Sequence, residues 1–461
     1  MKPQASPVSD VSLVRSLGLK EAAALVIGTV VGTGVFIQAA GMTQQAGSAT
    51  WVLLAWVTGG VLSLCGALCY AELSGLFPSA GGEYVFLREA YGGGVAFLFG
   101  WMRFWVVSPG SIAAYSVGAA TFLSGPLGLG QQWQRSLFAA AAIIAFSGLN
   151  CLSVAVGGRV QKYLTTFKVV MIVGLTASIF LLGHGSTSNL TTSLTSTGGL
   201  FPGWNPFGAA LIAALFAYDG WNNTPMAAGE IIDPGRNLPR ALGLGMAGVL
   251  AIYALVNLAY FYALPADLVA ASYSSAHVDA LPVATLAAKN SFGPGVIPFF
   301  SFLFAISAFG ALNGSVLTNA RVPFAMARDK LFFRSLARLN AKTHVPVTSI
   351  LWQAVVSILL AISGTFDQIT VAVVFASWIF YGLGAFSVFI LRRKLPLAKR
   401  EFRIPFYPWL PLVFFVAALL ILASALMTSP RESGLGVAFT LAGIPVYFWF
   451  RSRAAKEAGR G

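Results

Sequence analysis

Polar and apolar positions along this chain do not alternate on a short period. Apolar runs of about twenty residues follow one another, separated by brief polar stretches. A helix of about that length crosses the roughly 30 Å of a bilayer's hydrocarbon core. Twelve such runs fall near residues 20–44, 50–76, 92–123, 136–156, 163–183, 206–229, 239–264, 294–321, 346–363, 367–391, 407–427 and 434–451. Nothing shows the ten-residue alternation of a membrane barrel, and in lipid an open-ended segment satisfies its backbone only as a helix. The pattern predicts an all-α polytopic membrane protein with twelve transmembrane helices.

Two of these runs are interrupted. The first carries Gly32-Thr33-Gly34, and the sixth carries Tyr218-Asp219-Gly220-Trp221-Asn222-Asn223-Thr224-Pro225. Glycine-broken helices at equivalent places in two halves mark an inverted repeat with its ligand site at the breaks. The spacing predicts a first repeat over 19–183 and a second over 206–391, with helices 1 and 6 broken. The remaining divisions are an N-terminal tail 1–18, an external loop 184–205, two extra helices with a basic loop over 392–451, and a tail 452–461. The stretch 265–292 reads either as a plain connector or as a short external lid helix.

Composition agrees: 57% of residues are hydrophobic and only 10% charged, unlike a soluble domain. A net charge of +14 would suggest nucleic acid in a soluble chain, but its location argues otherwise. With the N-terminus inside, Arg15, Lys20, Arg88, Arg159, Lys162, Arg236, Arg240 and the runs after 321, 392 and 451 face the cytoplasm, whereas external loops keep Arg135, Lys289 and Arg431. That bias predicts cytoplasmic N- and C-termini in a cell inner membrane and excludes a nucleic-acid partner. The polar first 18 residues lack an apolar signal-peptide core. Cys65, Cys69 and Cys151 all fall inside spans, without disulfide or metal spacing, so no cofactor or metal is expected.

The breaks hold the candidate chemistry. At Gly32-Thr33-Gly34 the missing side chains admit a ligand to the backbone, and the second half-helix starts with free N–H groups and a positive dipole end. The carboxylate of a zwitterion would sit there, with unpaired carbonyls around Val30 and Val31 facing its ammonium; helix packing is the other use of such small residues. In the sixth span, Phe216, Ala217, Asp219, Gly220, Trp221 and Asn223 form a polar and aromatic cluster too costly to face lipid. Carbonyls of Phe216 and Asp219 would hold the ammonium, Phe216 would gate, and Trp221 would shape the side-chain pocket. The Asp219 carboxylate either binds an ammonium or proton, or is a hydrogen-bonded helix-break residue turned from the substrate. Lys168 in the fifth span either snorkels or reaches the first break. Arg103 in the third span either snorkels or pairs with another helix. No nucleophile with its base, metal set or phosphate loop emerges, so an enzyme is not expected.

Several motifs resemble one family. They are Val26-Ile27-Gly28-Thr29-Val30-Val31-Gly32-Thr33-Gly34-Val35-Phe36, Ala71-Glu72-Leu73 with Ser79-Ala80-Gly81-Gly82-Glu83-Tyr84, Phe216-Ala217-Tyr218-Asp219-Gly220-Trp221-Asn222, Glu230 to Pro239, and Phe309 to Ser315. In this order they resemble the amino acid–polyamine–organocation superfamily, within it the L-type amino acid transporter branch and its bacterial relatives, from about 19 to 410. The resemblance implies the five-plus-five inverted repeat of the leucine transporter type and alternating access around an α-amino acid, usually by sodium-independent exchange. It implies that Thr33 and Gly34 receive the carboxylate, that Val30, Phe216 and Asp219 offer carbonyls to the amine, and that Lys168 takes the place of a sodium ion. Animal members join a heavy chain through an external cysteine between helices 3 and 4; the loop at 124–135 has none, so no such partner is expected. Asp219 stands where some members have glycine, and Asn223 where some have a bulkier aromatic residue, leaving substrate choice open. The alternative is a proton-coupled carrier of cationic amino acids or polyamines.

Overall fold

The computed structural model describes residues 13–194, 206–274, 276, 277, 280–363, 366–428 and 430–458. Most of the predicted N-terminal tail, the end of the 184–205 loop, three positions of the stretch 265–292 and the last three residues of the C-terminal tail lie outside them. Among the described residues the structure is helical, with three isolated β-bridges and no strand.

The first predicted span is two helices, α1 (Leu19–Val30) and α2 (Gly34–Ala46), followed by α3 (Ala49–Leu76) and α4 (Glu83–Tyr91). The third span is α5 (Gly93–Met102), a π-helical turn at Arg103–Val107 and α6 (Ser108–Leu123). Next come α7 (Gln132–Leu152) and α8 (Val154–Leu182). The sixth span is α9 (Pro206–Ala217) and then a 3₁₀ segment, Trp221–Glu230. There follow α10 (Pro234–Ala263), two short helices α11 (Ala266–Ala270) and α12 (Val283–Phe292), α13 (Ile297–Asn319), α14 (Arg321–Arg328), α15 (Val347–Ser363), α16 (Phe366–Lys394), α17 (Trp409–Thr428) and α18 (Pro430–Ala458). Among the described residues nine helical stretches are long and apolar enough to cross a membrane, and α15 is a shorter apolar helix.

Two features differ from the hydropathy reading, and the stretch 265–292, open between a connector and a lid helix, proves partly helical. Fourth and fifth spans were expected to end and begin at 156 and 163, but α8 already starts at Val154, where the Ser153 side chain accepts a hydrogen bond from the Val156 N–H. Gly157, Gly158 and Arg159 interrupt the apolar run without interrupting the helix. The second half of the sixth span is 3₁₀ rather than α, and carries Pro225 inside it. The stretch 265–292 holds two helices, α11 and α12, both packed against α2.

Helix α1 lies against α8, α10 and α13, and α2 lies against α9. Ser16 and Leu17 donate from their backbone N–H groups to the Glu230 carbonyl, and Ile232 N–H donates to Leu17, so the segment before α1 is tied to the end of the 3₁₀ segment. Glu230 is buried and paired with Arg321 at 2.8 Å, which adds α14 to the same knot.

Candidate functional site

The two breaks lie against each other. Helix α1 ends as Val31 N–H donates back to Ile27 and Gly32 N–H to Val30, after which the chain restarts as α2. Thr33 is the residue before α2, and its side chain caps nothing. The first N–H groups of a helix lack partners inside it, so the start of α2 is a concentrated donor surface. On the other strand of the site, α9 ends at Ala217 and Gly220 turns the chain with φ +115°, a conformation L side chains rarely adopt. A Cβ at Gly220 would come within 2.9 Å of the Thr29 carbonyl oxygen, and one at Gly34 within 3.0 Å of the Ala217 Cβ. Glycine at both positions lets the breaks touch.

Side chains then tie them together. Thr29 Oγ1 donates to the Gly220 carbonyl at 3.0 Å. Tyr253 Oη, from α10, lies 2.9 Å from the Val30 carbonyl and 3.2 Å from that of Ala217. Tyr115 Oη, from α6, lies 3.3 Å from the Thr29 carbonyl. The Lys168 ammonium is fully buried and donates to the carbonyls of Gly28, Val31 and Ser307 at 3.1, 2.6 and 2.7 Å. It reaches the first break rather than snorkelling. Its three donors are matched by three oxygens contributed by α1 and α13, so a cation there stabilises carbonyls freed where α1 stops.

This corrects one expectation. The carbonyls of Val30 and Val31 are not unpaired: Tyr253 and Gly32 occupy the first, and Lys168 the second. The Phe216 carbonyl likewise accepts from Asp219 N–H at 3.1 Å. Tyr253, Tyr115 and Ser307 escaped the sequence reading. A lone tyrosine in an apolar run looks like packing, and no local pattern says that its hydroxyl reaches another helix's end.

Accessibility divides the site at Gly220. Thr33, Gly34, Phe216 and Asp219 are half-buried, whereas every residue from Trp221 to Ala228 is buried. Asp219 accepts a 2.7 Å hydrogen bond from Tyr381 Oη of α16 and is held by the Gly220 backbone as well. Trp221 is wedged among Tyr70, Tyr381 and Phe414 below the break, with ring centroids 4.8, 5.7 and 5.9 Å away. Asn223 is buried in the same layer and holds Arg103 through its side-chain oxygen. Arg103 therefore pairs across helices instead of snorkelling. Among the described residues no cluster of three or more His, Cys, Asp or Glu side chains forms a metal site.

Comparison with known proteins bears on this geometry. The sequence profile of the amino acid permease family matches residues 17–450. The chain belongs to that family. The permease is similar to the serine/threonine exchanger SteT of Bacillus subtilis (strain 168), 32% identical over 97% of this chain and 99% of the relative. It is also similar to the human b(0,+)-type amino acid transporter 1, 29% identical over 97% of the chain and 90% of the relative. The human cystine/glutamate transporter is 28% identical over 95% and 86% respectively. The permease is thus a multi-pass membrane protein of an amino acid transporter family, as its motifs implied.

Proposed function

We propose that this permease exchanges neutral L-amino acids across the cell inner membrane by alternating access, without sodium. In this reading it has twelve spans in a five-plus-five inverted repeat over 19–183 and 206–391, with both termini cytoplasmic. The observation that carries it is the juxtaposition of the two breaks. The α2 start, with the uncapped Thr33 hydroxyl and Gly34, is half-exposed beside the end of α9, where Phe216 and Asp219 are half-exposed too. A zwitterion's carboxylate fits the positive start of α2, and its ammonium fits the end of α9, where the Phe216 and Ala217 carbonyls each accept one protein hydrogen bond and keep a lone pair for a second. Substrate bound there bridges both half-helices, which gives it different affinity in states where they move apart, as coupling of binding to movement requires.

Lys168 holds the site shut from behind, in a position suited to a bound cation, so no separate sodium ion is needed. The exchanger named among the relatives supports exchange. Removing the Thr33 hydroxyl takes one charge-assisted hydrogen bond from the carboxylate, of about 1.5–3 kcal/mol. Thr33→Val should therefore raise the KM for uptake roughly tenfold while the protein stays monodisperse; an unchanged KM would remove the carboxylate from this place. A proton-coupled carrier of cationic amino acids or polyamines is the second reading, favoured by the half-buried Asp219 carboxylate. Uptake accompanied by acidification and inward current would select it.

A further inference from the structure

Below the breaks the structure keeps a cation that the site just described does not use. Arg103 is 4% exposed and stands on the π-helical turn between α5 and α6. Its Nη2 donates to the side-chain oxygens of Asn223 and, at 2.9 Å, Asn319, with the Met226 sulfur at 3.7 Å. All three partners are neutral. The nearby buried carboxylates are engaged elsewhere: Glu83 with Tyr70 Oη at 2.6 Å and Asn222 at 3.2 Å, and Asp219 with Tyr381. Two donors in this cluster have no partner, Arg103 Nε and Asn319 Nδ2, and the Ser108 hydroxyl, on the next turn of the chain, has none either.

The Glu83 and Asp219 carboxylates attract the Arg103 charge without touching it, but its unmet Nε donor still forfeits its hydration unless a further acceptor visits it. A small cavity beside Arg103, lined by Phe99, Met102, Val107, Phe380 and Tyr381, joins it to the tyrosine that closes on Asp219. The cavity measures only about 10 Å³ as it stands, so a substrate group reaches Arg103 only if Tyr381 moves aside and widens it. Single π-turns occur often at functional sites.

We propose that Arg103, with Asn319 Nδ2, is a second carboxylate station: it receives the substrate's carboxylate after this leaves α2, on the face sealed by Trp221–Glu230. The carboxylate accepts from Arg103 Nε and Asn319 Nδ2, is held there while α2 is vacated, and departs as the 3₁₀ segment moves. The station rests on the transporter reading above and adds to it a defined stop on one side of the membrane.

The test is sided kinetics. Wild-type, R103Q and R103K proteins are reconstituted in one orientation, and the KM for radiolabelled L-serine, or L-leucine if serine is not carried, is measured at each face. R103Q should raise the KM about tenfold at the Trp221–Glu230 face and leave the opposite face within about twofold, as expected for losing a charge-assisted hydrogen bond to one state only. R103K keeps charge but not the fork, and should raise it about threefold on the same face. An unchanged KM at that face, or equal increases at both, overturns the station and leaves Arg103 as a strut. If R103Q does not fold, R103K decides alone by the same one-sided criterion. Absence of exchange by the wild-type protein with all twenty L-amino acids would defeat the transporter reading itself, and the station with it.

Discussion

Lys168 and Arg103 are both buried cations without a carboxylate within ion-pair distance among the described residues, yet their surroundings differ in kind. Lys168 directs three N–H donors at three backbone oxygens, and nothing about it is left over. Arg103 rests on side chains of Asn223, Asn319 and Met226, and retains an unpartnered Nε. The first arrangement is a lock: it fixes α1 and α13 around the break and has no capacity for a guest. The second has spare donors next to a cavity, the condition for a visiting anion. A third buried cation, Arg321, marks the ordinary solution, bound to the Glu230 carboxylate at 2.8 Å. The lesson is that burial of a positive charge does not define its role; the number of donors left free does.

The difference can be broken in three ways. The largest effect is expected from Lys168→Met, which removes all three hydrogen bonds and strands buried carbonyls at a cost of about 1–3 kcal/mol each. Exchange should fall at least a hundredfold, measured as initial uptake in proteoliposomes; retention of more than a tenth of wild-type rate would deny Lys168 its locking role. A smaller effect is expected from Asn319→Asp, which gives Arg103 a permanent carboxylate. Thermal unfolding should shift upward or stay unchanged, while KM at the Trp221–Glu230 face rises about tenfold, as a charge-assisted partner would compete with substrate. A destabilised N319D protein with normal KM at both faces would reverse the contrast. The smallest effect is expected from Tyr381→Phe. Losing one hydrogen bond to Asp219 is worth about 1 kcal/mol, so exchange should change only a few-fold, read most sensitively as faster substrate dissociation.

The all-helical membrane class, nine of the apolar stretches among the described residues and the two breaks were legible in the sequence because these features are local and one-dimensional. Long apolar runs declare a lipid-crossing helix, and Gly32, Gly34 and Gly220 declare where backbone must come close to something else. The joint between α7 and α8 was misplaced because polar Arg159 and Lys162 sit within a continuing helix, where their long side chains reach outward: Lys162 pairs with Glu21 at 2.9 Å. The 3₁₀ course of Trp221–Glu230 also escaped, since Pro225 signals an irregularity but not its form. Lys168 was found by its depth, with the first break as one of two alternatives for it, but its third partner, Ser307 of α13, was not, because which helix lies opposite is a property of tertiary packing. The same holds for Arg103, whose partners Asn223 and Asn319 are 120 and 216 positions away along the chain. The expectation of unpaired carbonyls at Val30 and Val31 failed for that reason: Tyr253 and Lys168 arrive from α10 and α8 to fill them.

The proposed exchange of one amino acid for another at the joined breaks can be measured directly. Purified protein in proteoliposomes, at equal pH and without sodium, is given radiolabelled amino acid outside, with vesicles either empty or preloaded with a mixture of unlabelled amino acids. Uptake that appears only after preloading, and that falls sharply in the Thr33→Val protein at low substrate, is the predicted result. Equal uptake into empty and preloaded vesicles, or uptake into empty vesicles driven by an inward proton gradient, would contradict it.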